Sequence, residues 1–270
     1  MPELPDVETF RMRLYQRGLR RRVAGGDVRR PDLLVEVGEE ALVSSLEGRA
    51  LETTRRHGKH LFARLSGGAG WLRLHFGMTG DLLVSRVGDG GEAGSGGEPD
   101  HTQLRLDFDD GGFLAYVNTR ALGEIGLVDD VDRFIEARGL GPDAAALSEE
   151  DFAERLAATT AMLKSALTDQ GRIAGLGNVY ADEVLLRARL HPERRARDLD
   201  GDAVRRLYRA MREVLDEAVE ARADPARMPE GFILPDREAG APCPQCGGPL
   251  KAIEVSGRTT YVCPCCQREG

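Results

Sequence analysis

Two pairs of cysteines near the end of the chain restrict its folding more than any other feature. Cys243-Pro-Gln-Cys246 and Cys263-Pro-Cys-Cys266 are separated by sixteen residues and hold all five cysteines of the 270-residue sequence. Four thiolates in C-x-x-C pairs suit a tetrahedral zinc ion, and a closed site with four sulfur ligands is structural rather than catalytic. The predicted ligands of one zinc ion are Cys243, Cys246, Cys263 and Cys266.

The segment that carries these cysteines is too small to build an apolar core, so we expect it to need the metal for stability. Residues 251–255 and 259–262 alternate as the strands of a hairpin do, with a turn at Ser256-Gly257-Arg258. Arg258 at this turn is either an ordinary solvated residue or a group that binds phosphate. Cys265 is either a spare thiol or a ligand in place of Cys266.

The hydrophobic pattern changes from the period of strands to the period of helices near residues 129–150. Before this point, one helix that ends near Gly18 is followed by short runs that predict an antiparallel sandwich or barrel. The predicted strands are residues 33–37, 61–65, 71–75, 81–85, 103–108, 113–117 and 125–128. The predicted helices of the second half are residues 131–138, 149–158, 161–169, 179–187 and 202–221. The sequence therefore predicts an α+β protein.

Acidic charge is concentrated in two segments of the chain. The net charge of −8 divides into −6 for residues 87–112, −5 for residues 129–150 and +3 for the remainder. The first segment includes a low-complexity tract at residues 88–99, which we expect to form a mobile loop without a catalytic role. The acidic total favours a small-molecule enzyme, but local basic surface remains compatible with nucleic-acid binding.

The sequence also predicts where the protein works. No run of apolar residues is long enough to cross a bilayer, and the first residues lack the pattern of a secretion signal. We therefore expect a cytoplasmic protein without a membrane partner, and we expect a monomer. In a reducing compartment, the clustered cysteines favour metal binding over disulfides.

The first residues, Met1-Pro2-Glu3-Leu4-Pro5, place a proline directly after the initiator methionine. We expect methionine to be removed there, which leaves the secondary amine of Pro2 free. An α-amino group titrates near pH ~8, so part of it is neutral and able to attack an aldehyde-like carbon. Glu3 beside it suits proton transfer. Taken alone, such a segment more often marks only the ordered start of a helix, with Pro5 in the first turn.

Three internal segments add candidates for ligand binding. Gly175 and Gly177 allow a tight turn into a helix with Asn178 predicted at its N-cap, and such a helix start offers N–H groups to an anion. The alternative is a helix–helix turn without a ligand. Lys59 lies in a small basic cluster, and Met78 lies on a turn flanked by glycines. A surface lysine is usually only solvated, and a methionine of this kind more often packs in the core.

Taken together and in this order, the motifs resemble the formamidopyrimidine-DNA glycosylase / endonuclease VIII family of base-excision repair enzymes. The resemblance covers nearly the whole chain. It is carried by Pro-Glu-Leu-Pro-Asp-Val-Glu-Thr, His-Gly-Lys, His-Phe-Gly-Met-Thr-Gly, Ala-Gly-Leu-Gly-Asn-Val-Tyr-Ala-Asp-Glu and the four-cysteine hairpin. It implies an N-terminal β-sandwich domain at residues 1–130, a helix-two-turns-helix DNA-binding domain at residues 131–236 and a zinc-finger hairpin at residues 237–270.

The resemblance implies a bifunctional DNA glycosylase and AP lyase that acts on oxidised bases: 8-oxoguanine, formamidopyrimidines or oxidised pyrimidines. Pro2 then attacks C1′ of an extruded nucleotide and forms an iminium, with Glu3 as acid and base, before β- and δ-elimination. Lys59 and Arg258 complete the implied catalytic set. The implied partner is double-stranded DNA with damaged bases or abasic sites, which places the protein on the nucleoid when it is bound.

The same resemblance assigns the DNA contacts by position. Lys59, Asn178 and Arg258 match phosphate contacts of the family, which hold the DNA backbone without reading sequence. Met78 matches the side chain that fills the hole left by the extruded base, and Arg120 matches a contact to the orphaned opposite base. The full implied set is Lys59, His75, Met78, Arg120, Leu122, Lys164, Asn178 and Arg258.

Three segments depart from the family pattern. The expected Asp-Pro-Arg-Arg-Phe-Gly stands as Asn118-Thr-Arg-Ala-Leu-Gly123, so Leu122 replaces a phenylalanine wedge. Leucine fills space without a flat ring for stacking, and this favours the broader lesion range of endonuclease VIII. Asp6 stands for the usual glutamate and is expected to be tolerated. Residues 231–240, before the zinc hairpin, also differ from the common pattern.

Two other classes of function remain as alternatives. A lesion- or abasic-site-binding protein with the same fold would turn over little DNA, but it would have no need of the Pro2 amine. A small-molecule enzyme with a zinc ribbon fits the acidic charge, and it would show no salt-dependent affinity for DNA.

Overall fold

A computed structural model describes residues 1–86 and 98–268 of the chain, so nearly all of the predicted loop at 88–99 lies outside the described residues. The helices are α1 Leu4–Arg17, α2 Glu39–Leu46, α3 Val131–Ala137, α4 Glu149–Ala157, α5 Leu163–Thr168, α6 Asn178–Ala188 and α7 Gly201–Glu220. The strands are β1 Val23–Val28, β2 Leu51–His57, β3 His60–Leu65, β4 Trp71–His75, β5 Gly80–Val84, β6 Thr102–Phe108, β7 Phe113–Asn118, β8 Glu124–Val128, β9 Lys251–Val255 and β10 Arg258–Val262. None of the helices in these two ranges combines the length and hydrophobicity that a membrane span requires.

The chain divides into two compact units. The first consists of Met1–Pro2 and Asp6–Arg138, and the second consists of Glu3–Pro5 and Gly139–Gly270. The start of α1 therefore belongs by its packing to the C-terminal half of the sequence. The three-domain division with boundaries after residues 130 and 236 stays a prediction.

The first unit is built on two antiparallel four-stranded sheets. Their strand orders are β1-β6-β7-β5 and β2-β3-β4-β8. Leu104 and Leu114 of the first sheet share one buried cluster with Leu61, Leu72 and Ile125 of the second sheet. Alternation in the strands places these residues on inner faces, as in a β-sandwich. The predicted antiparallel sandwich is confirmed.

Four parts of the first unit differ from the predicted elements. Residues 33–37 are not a strand: Pro31–Leu33 form a 3-10 turn, and Val35 only donates a hydrogen bond to Ile125 O at 2.9 Å. The sequence also missed β1 and β2, where glycines and charged residues hide the alternation, and it missed α2. Strands β1 and β2 have low local propensity and are formed by pairing within the sandwich, whereas α2 contains good helix formers and is only eight residues long.

The second unit has a helical core and a small hairpin. Leu4 lies in the helical core with Phe152, Leu167, Tyr180 and Met211, all nearly inaccessible to solvent. Helices α4 and α7 have side-chain caps: Ser148 Oγ accepts from Asp151 N at 3.1 Å, and Asp200 Oδ1 accepts from Ala203 N at 2.7 Å. Strands β9 and β10 pair as the predicted hairpin, although β10 begins one residue earlier, at Arg258. The α+β fold class is confirmed.

Candidate active site and DNA-contact residues

The carboxylate of Glu3 is held by the first turn of α6. Glu3 is fully buried, and it accepts hydrogen bonds from Gly177 N at 2.7 Å, Val179 N at 2.8 Å and Tyr180 N at 3.2 Å. A helix N-terminus favours negative charge because its first N–H groups have no partner within the helix. These three bonds therefore hold the carboxylate in one position and the side chain in one rotamer.

Gly175 holds the residue next to Glu3. Leu4 N donates a hydrogen bond to Gly175 O at 3.0 Å. Gly175 has φ of +120°, and a Cβ at this position would lie 2.7 Å from Leu4 Cδ1. Only glycine satisfies both the backbone angle and the close approach, so the Ala-Gly-Leu-Gly motif serves to seat residues 3 and 4.

Two expectations for this motif are corrected by the structure. Asn178 is not the N-cap of α6: the N-cap is Gly177, and α6 begins at Asn178. The anion at this helix start is the Glu3 carboxylate of the chain itself, so the three N–H groups that bind it are already engaged. The predicted tight turn at the two glycines is found.

Pro2 lies in the first unit and is partly exposed, next to an exposed Met1. With Met1 in place, the nitrogen of Pro2 is part of a peptide bond, and its lone pair is delocalised into the carbonyl group and unavailable for attack. Nucleophilic chemistry at Pro2 therefore depends on removal of Met1. Glu3 follows directly, so the amine and the carboxylate are neighbours in the chain.

Lys59 lies in the two-residue turn that joins β2 to β3. His57 pairs with His60 across this turn, and Gly58 supplies the positive φ of 54° that such a tight connection needs. Lys59 is only 8% exposed, so most of its stem is buried. His75 pairs with His60 on the neighbouring strand, and burial lowers the pKa of His75 below its ordinary value, which keeps the ring neutral at physiological pH.

His60 makes the first unit sensitive to acid. Its ring lies 4.8 Å from that of His75 and 5.3 Å from that of Phe134, and burial lowers its pKa to about 2. Between pH ~6 and ~3 the unfolded chain binds a proton that the folded chain excludes. The free energy of unfolding should therefore fall by about 1.4 kcal/mol per pH unit from this group as the pH decreases.

Urea denaturation at pH 6.5, 5.5 and 4.5 tests this prediction. Other groups titrate in the same range, so the wild-type chain is compared with His60→Gln, which cannot titrate. The difference in free energy between the two should shrink as the pH falls. A difference that stays constant would contradict it.

Asn118 joins the two turns that carry Met78 and Leu122. It is fully buried, and its Oδ1 accepts from Thr79 Oγ1 at 3.0 Å while its Nδ2 donates to Phe76 O at 3.1 Å. Thr79 Oγ1 also accepts a hydrogen bond from Arg120 N at 3.1 Å. One amide side chain therefore holds the β4–β5 turn against the β7–β8 turn.

The side chains at the ends of these two turns are exposed. Met78 is 43% exposed and Leu122 is 51% exposed, which is unusual for large apolar side chains in this chain. Arg120, two residues before Leu122 in the second turn, is also exposed. The core-packing alternative for Met78 is thus wrong, and these two turns present the side chains of Met78, Leu122 and Arg120 to solvent.

The other implied contacts lie in the second unit. Asn178 Nδ2 donates to Thr259 O at 3.0 Å, which brings the start of α6 beside β10 and its exposed first residue, Arg258. Lys164 is only 1% exposed and pairs with the buried carboxylate of Asp182. The structure thus places Asn178 and Arg258 near each other, and it places the Lys164 amine inside the unit.

Four cysteines form a compact cluster at the base of the hairpin. The sulfur atoms of all four lie within 4.8 Å of one another, and the Sγ–Sγ distances are 4.0 Å for Cys243–Cys266 and 3.4 Å for Cys246–Cys263. A tetrahedral zinc ion with Zn–S bonds of about 2.3 Å separates its sulfur ligands by about 3.8 Å. The cluster therefore fits one structural zinc ion. Cys266 belongs to it and Cys265 does not, so the open question about Cys265 is answered.

Sequence reasoning missed two buried residues that organise the candidate site. Asn118 was treated only as part of a divergent motif, and Asp182 was read only as part of the Asn178–Glu183 motif. The spacing of four residues between Asn178 and Asp182 was the available signal, because it places both on one face of α6.

Models of three domain families match this chain. The N-terminal domain of formamidopyrimidine-DNA glycosylase matches residues 1–125, its helix-two-turns-helix domain matches residues 139–229, and the zinc finger found in formamidopyrimidine-DNA glycosylases and isoleucyl-tRNA synthetases matches residues 240–268. An antiparallel sandwich, a helix-two-turns-helix domain and a four-cysteine zinc finger define a class of DNA-repair glycosylases. The zinc finger carries one structural zinc ion.

Individual relatives agree over the full length. The chain is 35% identical to formamidopyrimidine-DNA glycosylase of Gluconobacter oxydans, with 99% of this chain and 100% of the relative covered. It is 37% identical to that of Thermus thermophilus, with both chains covered completely. Among solved structures, MutM in complex with DNA that contains carbocyclic 8-oxo-G has a TM-score of 0.86 at 30% identity, covering 99% of this chain and 100% of that chain. The Lactococcus lactis enzyme with DNA that contains FAPY-dG has a TM-score of 0.86 at 29% identity, with the same coverage. The chain belongs to the formamidopyrimidine-DNA glycosylase family.

Proposed function

We propose that this protein is a DNA glycosylase of base-excision repair that removes oxidised bases and then cleaves the abasic strand as a lyase. The observation that carries the proposal is the fully buried Glu3 carboxylate, fixed by three backbone N–H groups directly after Pro2. Support also comes from solved relatives, whose structures contain DNA with 8-oxo-G, FAPY-dG or an abasic site. The proposed place of action is the nucleoid, in the cytoplasm.

The proposed reaction begins with the free amine of Pro2, after removal of Met1. The amine nitrogen bonds to C1′ of an extruded nucleotide, the bond from C1′ to the base breaks, and the base leaves with a proton. Ring opening at O4′ takes a second proton and leaves an iminium between C1′ and Pro2. Glu3 is the group that delivers and removes these protons, because its carboxylate is both close in sequence and fixed in place.

The iminium then makes strand cleavage possible. It draws electrons from C2′, so a C2′ proton can be removed and the 3′ phosphate leaves by β-elimination. A second elimination releases the 5′ phosphate, and hydrolysis of the remaining iminium regenerates the Pro2 amine. We propose both eliminations, with Glu3 again as the proton carrier.

We propose that the remaining site residues hold the distorted DNA. Lys59 in the first unit, and Asn178 and Arg258 in the second, are the proposed phosphate contacts. Met78 and Leu122 are the proposed apolar side chains that replace the extruded base in the stack, supported by their exposure of 43% and 51%. Arg120, exposed in the same turn as Leu122, is the proposed contact to the opposite base, and His75, neutral at physiological pH, is a further proposed DNA contact.

Borohydride trapping tests the proposed chemistry. Duplexes that contain an abasic site, 8-oxoguanine or an oxidised pyrimidine are mixed with the protein and reduced, since borohydride converts an iminium to a stable covalent adduct. We expect an adduct with the abasic duplex and with at least one oxidised base, and the pattern gives the lesion preference. The matched control is the same chain with an uncleaved N-terminal extension, which keeps Pro2 in a peptide bond.

The control decides between chemistry at Pro2 and chemistry at a lysine. An adduct that disappears with the extension supports the proposal, and an equal adduct in both proteins contradicts the role of Pro2. Tight binding of the abasic duplex by correctly processed protein without any adduct would favour a lesion-binding protein that has the same fold.

A further inference from the structure

Helix α6 contacts the zinc hairpin (β9, β10 and the two cysteine pairs) at three points along its length. At the start of α6, Asn178 Nδ2 donates to Thr259 O at 3.0 Å. Near its end, Leu186 O accepts from Gln245 Nε2 at 3.0 Å, within the first cysteine pair. Asp182 lies midway between these two contacts. Residues 178, 182 and 186 are four apart, so their side chains lie on one face of the helix.

Asp182 is the charged member of this face. Its side chain is fully buried, and one carboxylate oxygen pairs with Lys164 Nζ of α5. The other oxygen pairs with Arg237, from the segment before the hairpin, and accepts from Tyr261 N of β10 at 3.3 Å. Arg237 also lies over the Tyr261 ring, 4.6 Å from its centroid. One carboxylate therefore joins α5, α6, β10 and the segment that leads into the hairpin.

The zinc site alone cannot set the position of the hairpin turn. The four cysteines lie at the base, whereas residues 256–258 lie at the far end, beyond β9 and before β10. Between them, hydrogen bonds to the helices are made at Asp182 and Thr259, and at the turn by Ser256 Oγ, which is 2.8 Å from Ser165 Oγ. The direction of β10 as it reaches Arg258 thus depends on α6, through Asp182 and Asn178, and on α5, through Ser165.

We propose that Asp182 is a positioning residue that aims Arg258 at a DNA phosphate by holding β10 against α6. This inference rests on the proposed function, and it gives Asp182 a role that it performs through the position of Arg258. Lys164 belongs to the same arrangement: its Nζ donates to Asn178 O at 2.8 Å as well as to Asp182, so it orders the start of α6. The contact to Asn178 is made by Lys164 and not by Asp182, so the role proposed for Asp182 concerns Arg258 alone.

The chemistry of the cluster favours this role over a simple contribution to stability. A buried ion pair loses much of its Coulomb energy to desolvation, but it tolerates only one arrangement of its partners. Asparagine at position 182 would keep the size of the side chain and remove its charge. It would also place an N–H donor against at least one of the donors on Lys164, Arg237 and Tyr261. The ion pairs and hydrogen bonds that join position 182 to α5, β10 and Arg237 would then be weakened, while the bond from Asn178 Nδ2 to Thr259 O and the zinc ligands stayed unchanged.

The test is a double-variant cycle in DNA binding with the zinc-loaded full chain. Affinity for a duplex with a reduced abasic-site analogue is measured between 50 and about 300 mM salt for wild type, Asp182→Asn, Arg258→Gln and the double variant. Log affinity falls as log salt concentration rises, and loss of one phosphate contact makes this negative slope shallower by about 1. We expect this change in slope and about a tenfold loss of affinity in each single variant, and no further change in the double variant.

Glu183→Gln is the matched control. Glu183 is the next residue of α6, is only 2% exposed, and accepts from Ile233 N at 3.0 Å and Leu234 N at 2.7 Å rather than from the hairpin. Its loss should lower the melting temperature but leave the salt slope at the wild-type value. The inference is supported if Asp182→Asn retains its full zinc content and the double variant loses no more affinity than Arg258→Gln alone.

Two results would overturn the inference while leaving the proposed function intact. The first is a loss of affinity in the double variant that equals the product of the losses in Asp182→Asn and Arg258→Gln. The second is loss of zinc from Asp182→Asn. Salt-independent affinity of the wild-type protein would instead contradict the proposed function, and the inference with it.

Discussion

Replacing Glu3 by glutamine should lower the rate of base excision by about 10³-fold, within the range of general acid–base catalysis. Glutamine has nearly the same shape, but it cannot deliver a proton, and only its oxygen can accept from Gly177 N, Val179 N and Tyr180 N. Single-turnover excision from a duplex with 8-oxoguanine or an oxidised pyrimidine measures the loss. Affinity for an abasic-site analogue should change by less than about tenfold, because the phosphate contacts remain.

The same variant should separate the two halves of the reaction. A preformed abasic site already carries an aldehyde, so the Pro2 amine can bond to it without a departing base that needs a proton. Borohydride trapping on that duplex should therefore fall much less than excision does. Glu183→Gln again serves as the control, since Glu183 is likewise a buried carboxyl group whose oxygens accept from backbone N–H groups, and burial raises its pKa to about 8. An equal loss of excision in both variants would mean that Glu3 acts only as a structural cap.

Elements with strong periodicity were predicted well from the sequence, whereas those formed by long-range pairing were not. Helix α7 carries a regular apolar stripe from Ala203 to Ala218, and its predicted bounds differ from the observed ones by one residue at each end. Strand β1 reads Val-Ala-Gly-Gly-Asp-Val and has little propensity of its own. It forms because β6, about eighty residues later, pairs with it along the edge of the first sheet.

The candidate site divides in the same way. The zinc cysteines were predicted from residue type and spacing, whereas the roles of Pro2 and Glu3 come from the family resemblance and stay predictions. The partners of Glu3 were not predicted, because they are distant: Glu3 is bound by N–H groups more than 170 residues later. Asp182 and Asn118 lie within motifs that were recognised for other residues, and their own importance follows only from burial and from the number of groups that each one holds.

Loss of a zinc ligand should have the second largest effect, because it removes the hairpin and with it Arg258. The apolar cluster at the base of the hairpin is small, and its most buried members include Leu250, Ile233 and Leu186. Burial of so few side chains cannot offset the entropy of ordering some thirty residues, whereas a structural zinc site contributes about 10–16 kcal/mol in small zinc fingers. Cys246→Ser should therefore leave β9 and β10 unfolded and lower affinity for abasic DNA by at least about 10²-fold.

Cys265→Ser provides a matched control, because it replaces the one cysteine of the second motif, Cys263-Pro-Cys-Cys266, that lies outside the four-sulfur cluster. Cys265 is exposed and lies outside the four-sulfur cluster, so this variant should retain one zinc per chain and wild-type affinity. Zinc content, amide hydrogen exchange in β9 and β10, and the affinity of both variants are measured together. The helical core around α6 and α7 should stay protected in Cys246→Ser, because it has its own buried cluster and does not depend on the metal. Loss of zinc from Cys265→Ser, or retention of zinc and affinity in Cys246→Ser, would show that a different set of sulfur atoms binds the ion.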